Sequence, residues 1–330
     1  MASFRAYRIY SEDGKVQARL VQAALDELDP GEVVIKTAFS SVNYKDALAA
    51  TGAGKIIRRF PCIGGVDGCG TVTSSSDARF KAGDEVICTS FDLGVAHDGG
   101  YAEYLRVPAG WVVPLPTGLT LFESMALGTA GFTAGLAVER MEHEGLDPGK
   151  GPVIVTGATG GVGSIAVGIL AKLGFNVVAA TGKTEEKDFL TRLGAKGMIS
   201  REEANDTSGR PLQKGRWGGV VDTVGGNILA TAIKTAKYGG LVAACGNAMS
   251  ADLAVSVYPF ILRGVSLLGV DSVEIPVNTR MRAWQKLAQD WKLDLSGDLI
   301  TECSLNELSP HIDKILKGGI RGRVVVDLSK

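Results

Sequence analysis

The sequence has no surplus of either charge. Lys and Arg number 35 against 36 Asp and Glu, so the formal net charge is −1. That balance excludes the basic footprint of a protein that holds nucleic acid or an anionic membrane electrostatically. Histidine is scarce, with three in 330 residues (His97, His143, His311). Cysteine is limited to Cys62, Cys69, Cys88, Cys245 and Cys303, an odd number with no C-x-x-C spacing. This argues against a disulfide framework and reads as reduced thiols in a cytoplasmic protein. No apolar run reaches bilayer-spanning length, and the opening Met-Ala-Ser-Phe-Arg-Ala-Tyr-Arg lacks the apolar core of a signal peptide. There is no repeat and no low-complexity tract.

What remains is ordinary globular material, 45% hydrophobic and 22% charged, with 44 glycines. A chain of this length exceeds one ordinary core, so two domains are expected. Residues 1–122 hold short strands punctuated by Gly and Pro. They include Ala2–Tyr10 and Lys15–Val21 around an Asp13-Gly14 turn, Glu32–Phe39, Pro61–Thr73 and Phe80–Ile87. This half reads as a compact barrel-like β domain. From about Leu119 helices and strands alternate, with helical stretches at Leu121–Leu127 and Ala130–Val138. Strands follow at Val153–Val155, Phe175–Ala180, Gly197–Ser200, Gly219–Val224, Leu241–Cys245 and Val265–Val270. Between them lie helices at Ser164–Leu173, Glu185–Leu193 and Ile228–Ala236. The expected fold is α/β: a doubly wound parallel sheet over residues 123–294 beside the β-rich domain. A tryptophan-containing helix at Met281–Trp291, a helix at Leu305–Leu316 and a strand at Arg323–Leu328 close the chain.

The segment Val153 to Gly163, Val-Ile-Val-Thr-Gly-Ala-Thr-Gly-Gly-Val-Gly, organises the second half. An apolar strand, a glycine turn and a helix make a dinucleotide-binding arrangement, in which helix N–H groups and the dipole meet a pyrophosphate. The turn residues expected at the cofactor are Thr159, Gly160, Gly161 and Val162. The spacing also fits short-chain dehydrogenases, but about 150 residues precede the motif, and no tyrosine has lysine four positions on. The next strand ends in Thr181-Gly182-Lys183 instead of an acid that would hold a ribose hydroxyl. A lysine beside a hydroxyl suits a 2′-phosphate and points to NADPH, with Arg201 as a second positive charge. The alternative keeps Lys183 as a solvated loop residue and Glu185 as the ribose ligand.

Taken together, Ser40–Leu48, Gly54–Pro61, Gly128–Ala134, the glycine turn, Asp222–Gly225, Val242–Gly246, Gly269–Ser272 and Gly322–Val326 cover nearly the whole chain in order. On these stretches the sequence resembles the medium-chain dehydrogenase/reductase superfamily, in its zinc-free quinone-oxidoreductase-like branch. It is most similar there to the acrylyl-CoA reductases. The resemblance implies a GroES-like β-rich domain of residues 1–122 plus 295–330, with the last strand rejoining it, and a cofactor cleft. Zinc-bearing members use a cysteine after an early strand, a Gly-His-Glu and a four-cysteine lobe. Here those positions read Asn43 and Gly65-Val66-Asp67, no such lobe exists, and no metal is expected. The implied chemistry is reduction of an activated carbon–carbon double bond by NADPH, with acrylyl-CoA or a short 2-enoyl-CoA as substrate. The resemblance makes Tyr44 the proton donor or positioning hydroxyl, or only a cofactor contact, and Asn43 its orienting partner or the substrate's. It puts Asn247 and Ser272 at the nicotinamide, makes Arg323 a phosphate contact, and sets Arg58 and Arg59 near the cleft for coenzyme A phosphates. A solvated charge pair is the other reading of those two arginines. Cys69 reads as a packed thiol. A homodimer through edge strands of the nucleotide domain is expected. The rival activities are a zinc-free NADPH:quinone oxidoreductase and a non-catalytic NADPH-binding protein.

Overall fold

The computed structural model describes residues 3–330; Met1 and Ala2, the latter counted in the first expected strand, lie outside the described residues. The chain forms two compact units. One comprises the residues up to Thr129, Val273–Ala288 and Leu295–Lys330; the other comprises Ala130–Ser272 and Gln289–Asp294.

The first unit is β-rich. Strands Phe4–Glu12 and Lys15–Ala23 pair antiparallel across Asp13 and Gly14, both with positive φ, as a tight two-residue hairpin requires. Cys62–Ile63 adds a short third strand. A seven-stranded sheet runs in the order Ile300–Ser304, Arg323–Asp327, Val33–Ser41, Asp67–Ser75, Glu85–Thr89, Val112–Pro114, with Tyr104–Val107 also paired to Val33–Ser41. Period-2 alternation fixes its faces: Val33 and Ile35 are fully buried while Lys36 is exposed. Phe4, Ile9, Leu305, Leu308 and Val326 belong to one core cluster, so the C-terminal helix and strand complete the core begun by the N-terminal hairpin. The last strand, Arg323–Asp327, thus pairs with Val33–Ser41 within the first unit.

The second unit is a six-stranded parallel sheet in the order Gly197–Ser200, Val177–Thr181, Val153–Thr156, Trp217–Asp222, Ala236–Ala244, Ser266–Gly269. The first three strands run outward in one direction and the next three in the other, which is the doubly wound order. Ile154, Val220 and Val242 are buried, as strands covered by helices demand.

Four local expectations change. The helix after the glycine turn runs Gly161–Lys172, three residues earlier than its apolar face suggests, because Gly160 is the extended N-cap. The helix Val277–Ala288 stops before Trp291 and packs in the first unit, although the sequence reading counted it with residues 123–294. The stretch Leu305–Leu316 divides into a 3-10 turn, Leu305–Glu307, and an α-helix, Leu308–Leu316. Pro310, which lacks an N–H and crowds the carbonyl four residues back, prevents one continuous helix. The fourth change concerns Leu121–His143, which does have the length and apolarity to cross a bilayer; 78% of its apolar window is buried inside the protein.

Candidate functional site

In the first unit the sequence motif around Tyr44 folds onto a buried polar cluster. The strand Val33–Ser41 ends, Asn43 takes an extended conformation as N-cap, and the helix Tyr44–Thr51 begins. Asn43 and Asp46 form a capping box, with the Asn43 N–H donating to Asp46 Oδ2 at 2.9 Å. The Asp67 carboxylate, wholly buried, accepts from Ser41 Oγ (2.5 Å), Asn43 Nδ2 (2.7 Å) and Thr129 Oγ1 (2.6 Å). The Arg323 guanidinium donates to Ser41 Oγ (2.8 Å), to Asn43 Oδ1 and Val42 O (3.3 Å each), and to Ala126 O (3.0 Å). Burial pulls Arg323 below its ordinary value, and the charges of Asp67 and Asp46 oppose that.

Asp46 is pushed up to about 7, first by burial and then by the Asp67 charge; its hydrogen bonds from Val66 and Asn43 pull the other way. The folded state therefore keeps this proton at pH values where the unfolded chain, near 3.8, has released it. The stability from this proton is complete below about pH 4 and is lost as pH rises to about 7. Asp46→Asn removes that slope. Urea midpoints at pH 5 and pH 8 are expected to show the wild type losing ground to the variant, by at most about 1.4 kcal/mol per pH unit in that window. Parallel pH profiles for the two proteins would refute it.

Tyr44 stands outside this cluster. It is 38% exposed, and its hydroxyl makes no hydrogen bond to the described residues. The Asn43 amide is taken up by Asp67, Asp46 and Arg323, so the expectation that it orients substrate is corrected: it holds the turn before Tyr44. Arg323 is also corrected. At 2% exposure, with its donors spent on the protein interior, it has no access to a phosphate. Arg58 pairs with Asp92 (3.0 Å), and Arg59 pairs with Asp29 and lies 3.9 Å from Asp98. These carboxylates compensate both charges, which counts against the coenzyme A phosphate role expected of Arg58 and Arg59. Burial pushes Cys69 up to about 12, and its thiol donates to Leu121 O, which fits a packed thiol.

The donor set does not suit zinc. The Asp67 carboxylate is saturated by four donor groups, counting the Thr129 N–H at 3.0 Å, Asp46 is taken up by Asn43 and Val66, and a guanidinium lies in the same cluster. Zinc needs three or four nitrogen, sulfur or oxygen ligands. Among the described residues no group of three His, Cys, Asp or Glu converges.

In the second unit the predicted cofactor residues gather at the carboxyl ends of the parallel strands. The helix Gly161–Lys172 begins directly after Thr159 and Gly160, so the N–H groups of its first turn have no partner within the helix. A Cβ at Gly163 would lie 2.8 Å from Ala158 Cα, so only glycine lets the helix pass the turn this closely. Thr159 Oγ1 and Thr181 Oγ1 are 3.4 Å apart, and the Lys183 N–H donates to Thr181 Oγ1 at 3.1 Å. The exposed Arg201 guanidinium lies across Gly182, where a Cβ would come within 2.9 Å of its Cζ. The Arg201 guanidinium thus lies beside the Thr181–Lys183 tip, and its charge there suits a nucleotide carrying a 2′-phosphate. Glu185 is exposed in the 3-10 turn Thr184–Glu186. Asn247 is exposed past the strand Ala236–Ala244, and Ser272 accepts from Thr133 Oγ1 at 2.9 Å.

Several contributors escape a linear reading. Ser41, Thr129 and Thr133 lie in stretches that carry the family resemblance, but nothing along the chain gave any of them a role. Asp222 is buried and accepts from Thr156 Oγ1 and the Gly225 N–H, both at 2.7 Å, tying two strand ends beside the glycine turn. Its signal was an acid at the tip of an apolar strand.

Comparison with known proteins agrees with this geometry. Residues 29–117 match the family model of the alcohol dehydrogenase GroES-like domain, and residues 161–289 that of zinc-binding dehydrogenases. The chain is 49% identical to the acrylyl-CoA reductase AcuI of Ruegeria pomeroyi, covering 96% of each. It is 48% identical to the putative quinone oxidoreductase YhfP of Bacillus subtilis, covering 98% of this chain and 99% of that one. The YhfP crystal structure with NAD bound superposes with a TM-score of 0.96 over 99% of this chain and 100% of that one, at 47% identity. The yhdH oxidoreductase of Salmonella enterica in complex with NADP gives a TM-score of 0.96 at 44% identity, over 98% of this chain and 99% of that one.

Proposed function

Because the chain belongs to the medium-chain dehydrogenase/reductase superfamily, we propose that it is an NADPH-dependent acrylyl-CoA reductase, converting acrylyl-CoA or a short 2-enoyl-CoA to the saturated acyl-CoA. The observation that carries this reading is near full-length identity to a protein named for that activity. The Arg201 guanidinium over Gly182, with Lys183 next in the chain, supports NADP over NAD. Bound NADPH supplies a hydride to the carbon β to the thioester carbonyl. The chain's part is to hold the nucleotide on Thr159–Val162, with the 2′-phosphate at Thr181–Lys183 and Arg201. Asn247 and Ser272 serve the nicotinamide end. Tyr44 presents an uncommitted phenol that protonates the α-carbon as the enolate collapses, or orients the water that does so. No step runs through a metal, and the free thiols fit a cytoplasmic enzyme.

The test is the rate of NADPH oxidation with acrylyl-CoA, crotonyl-CoA and a quinone, with NADH run beside it. Acrylyl-CoA with NADPH is expected to give the highest kcat/KM by at least about tenfold. The identity to YhfP supports the rival quinone reductase, which a quinone-dominated profile would establish. NADPH binding without turnover on any acceptor would leave a non-catalytic binding protein.

The reading includes a homodimer. The strand Ser266–Gly269 is an outer strand of the parallel sheet, with Leu267 exposed. The neighbouring helix Tyr258–Arg263 exposes Ile261 (68%) and Leu262. An apolar sheet edge flanked by apolar side chains is suited to pairing with its own copy. Ile261→Asp combined with Leu267→Lys is expected to halve the mass found by sedimentation equilibrium. A wild-type monomer at micromolar concentration would remove the dimer from the proposal.

A further inference from the structure

Tyr44 has no hydrogen bond of its own to fix its phenol, yet the residues just before it are held from every side. Ser41 Oγ donates to Asp67 and accepts from Arg323, and Tyr101 Oη donates to Ser41 O at 3.1 Å. The Val42 N–H donates to Val324 O, and Val42 O accepts from Arg323. Asn43 is bound at its amide nitrogen, its carbonyl oxygen and its backbone N–H. Burying an anion and a cation carries a large cost in lost solvation, and apolar side chains of similar volume often fill such space as stably. The hydrogen bonds of Asp67 and Arg323 also have a direction: both residues reach Ser41 and Asn43, and Asn43 is the cap of the helix whose first residue is Tyr44.

We propose that Asp67 and Arg323 are positioning residues for the reduction: they set the Tyr44 phenol by locking the turn Ser41–Asn43 through shared hydrogen bonds. Neither touches substrate or cofactor. The inference rests on the role given to Tyr44 above, and its test separates the two.

Asp67→Asn, Arg323→Met and Ser41→Ala are each made in the wild-type chain and in Tyr44→Phe. Ser41→Ala removes only the hydroxyl shared by the two charged groups and leaves both in place, so it serves where the charge variants fail to fold. The readouts are kcat and KM for acrylyl-CoA and the Kd of NADPH. In the wild-type background kcat is expected to fall by about tenfold for the charge variants and about threefold for Ser41→Ala, with NADPH Kd unchanged. In the Tyr44→Phe background the same substitutions are expected to change kcat by less than about twofold, because what they position is gone. Equal losses in both backgrounds would overturn the inference and leave the cluster a stability element. A Tyr44→Phe enzyme with wild-type kcat would overturn the role of Tyr44 itself, and the inference with it.

Discussion

Arg201→Ala is expected to lower kcat/KM for NADPH by about 100-fold while leaving NADH within about twofold, since a charge-assisted phosphate contact acts on only one of the two cofactors. The geometry behind this is specific. Arg201 follows the strand Gly197–Ser200, which pairs in parallel with Val177–Thr181, so the two strand ends lie side by side. Gly182 has no side chain to hold the guanidinium off, and Lys183 comes next in the chain. Lys183→Ala is expected to have a smaller effect of the same sign, because an ammonium on a flexible stem holds phosphate as a point charge and not as a fork. Gly182→Asp would place an acid under the guanidinium and invert the preference. Steady-state kinetics with both cofactors decide the matter, and equal losses for NADPH and NADH would assign Arg201 to folding.

Gly128→Ala is expected to be severely destabilising. Gly128 interrupts the helical stretch Leu121–His143 with φ 52 and ψ −158, a conformation open in practice to glycine alone. An added Cβ would lie 2.6 Å from both Asp67 Oδ2 and Ser41 Oγ, and 2.7 Å from an Arg323 nitrogen. Both charged groups are buried and fully engaged, so neither has room to move. Strain at such a backbone and a broken buried network each cost a few kcal/mol, and the sum is at least about 4 kcal/mol. Calorimetry is expected to show a drop in Tm of roughly 6 °C or more, or an insoluble product. A variant that melts within about two degrees of wild type would show that the kink relaxes, and with it the packing around Asp67.

The nucleotide half was legible because its signals are local. An apolar strand, a glycine turn and a helix lie within twenty residues, and parallel strands recur at intervals set by the helices between them. The missing acid after Thr181 could be read directly, since the second strand always brings its tip to the same side of the sheet. The β-rich half was legible in class through its turn residues, but not in its pairings. Its largest sheet joins Val33–Ser41 to Arg323–Asp327, nearly 300 positions away, and no periodicity reports which strands will meet.

The site divides in the same way. The sequence by itself determined the strand, glycine turn and helix that begin at Val153 and the absence of an acid at Thr181–Lys183, because each is a short local run, whereas Asn43 and Tyr44 were singled out only by the family resemblance. Only the tertiary structure decided what Arg323 does. Read along the chain it is a cation near the C-terminus, available to a phosphate; folded, it is sealed beneath Ser41, 282 positions distant, with its guanidinium spent on the turn before Tyr44. It likewise decided that Arg58 and Arg59 face Asp92 and Asp29 and that Asp46 holds its proton near neutrality. The physical reason is one of range. Backbone conformation and capping are fixed by residues a few positions apart, whereas the burial of a charge and the identity of its partner depend on strands that the sequence keeps far apart and only the packed sheet brings together.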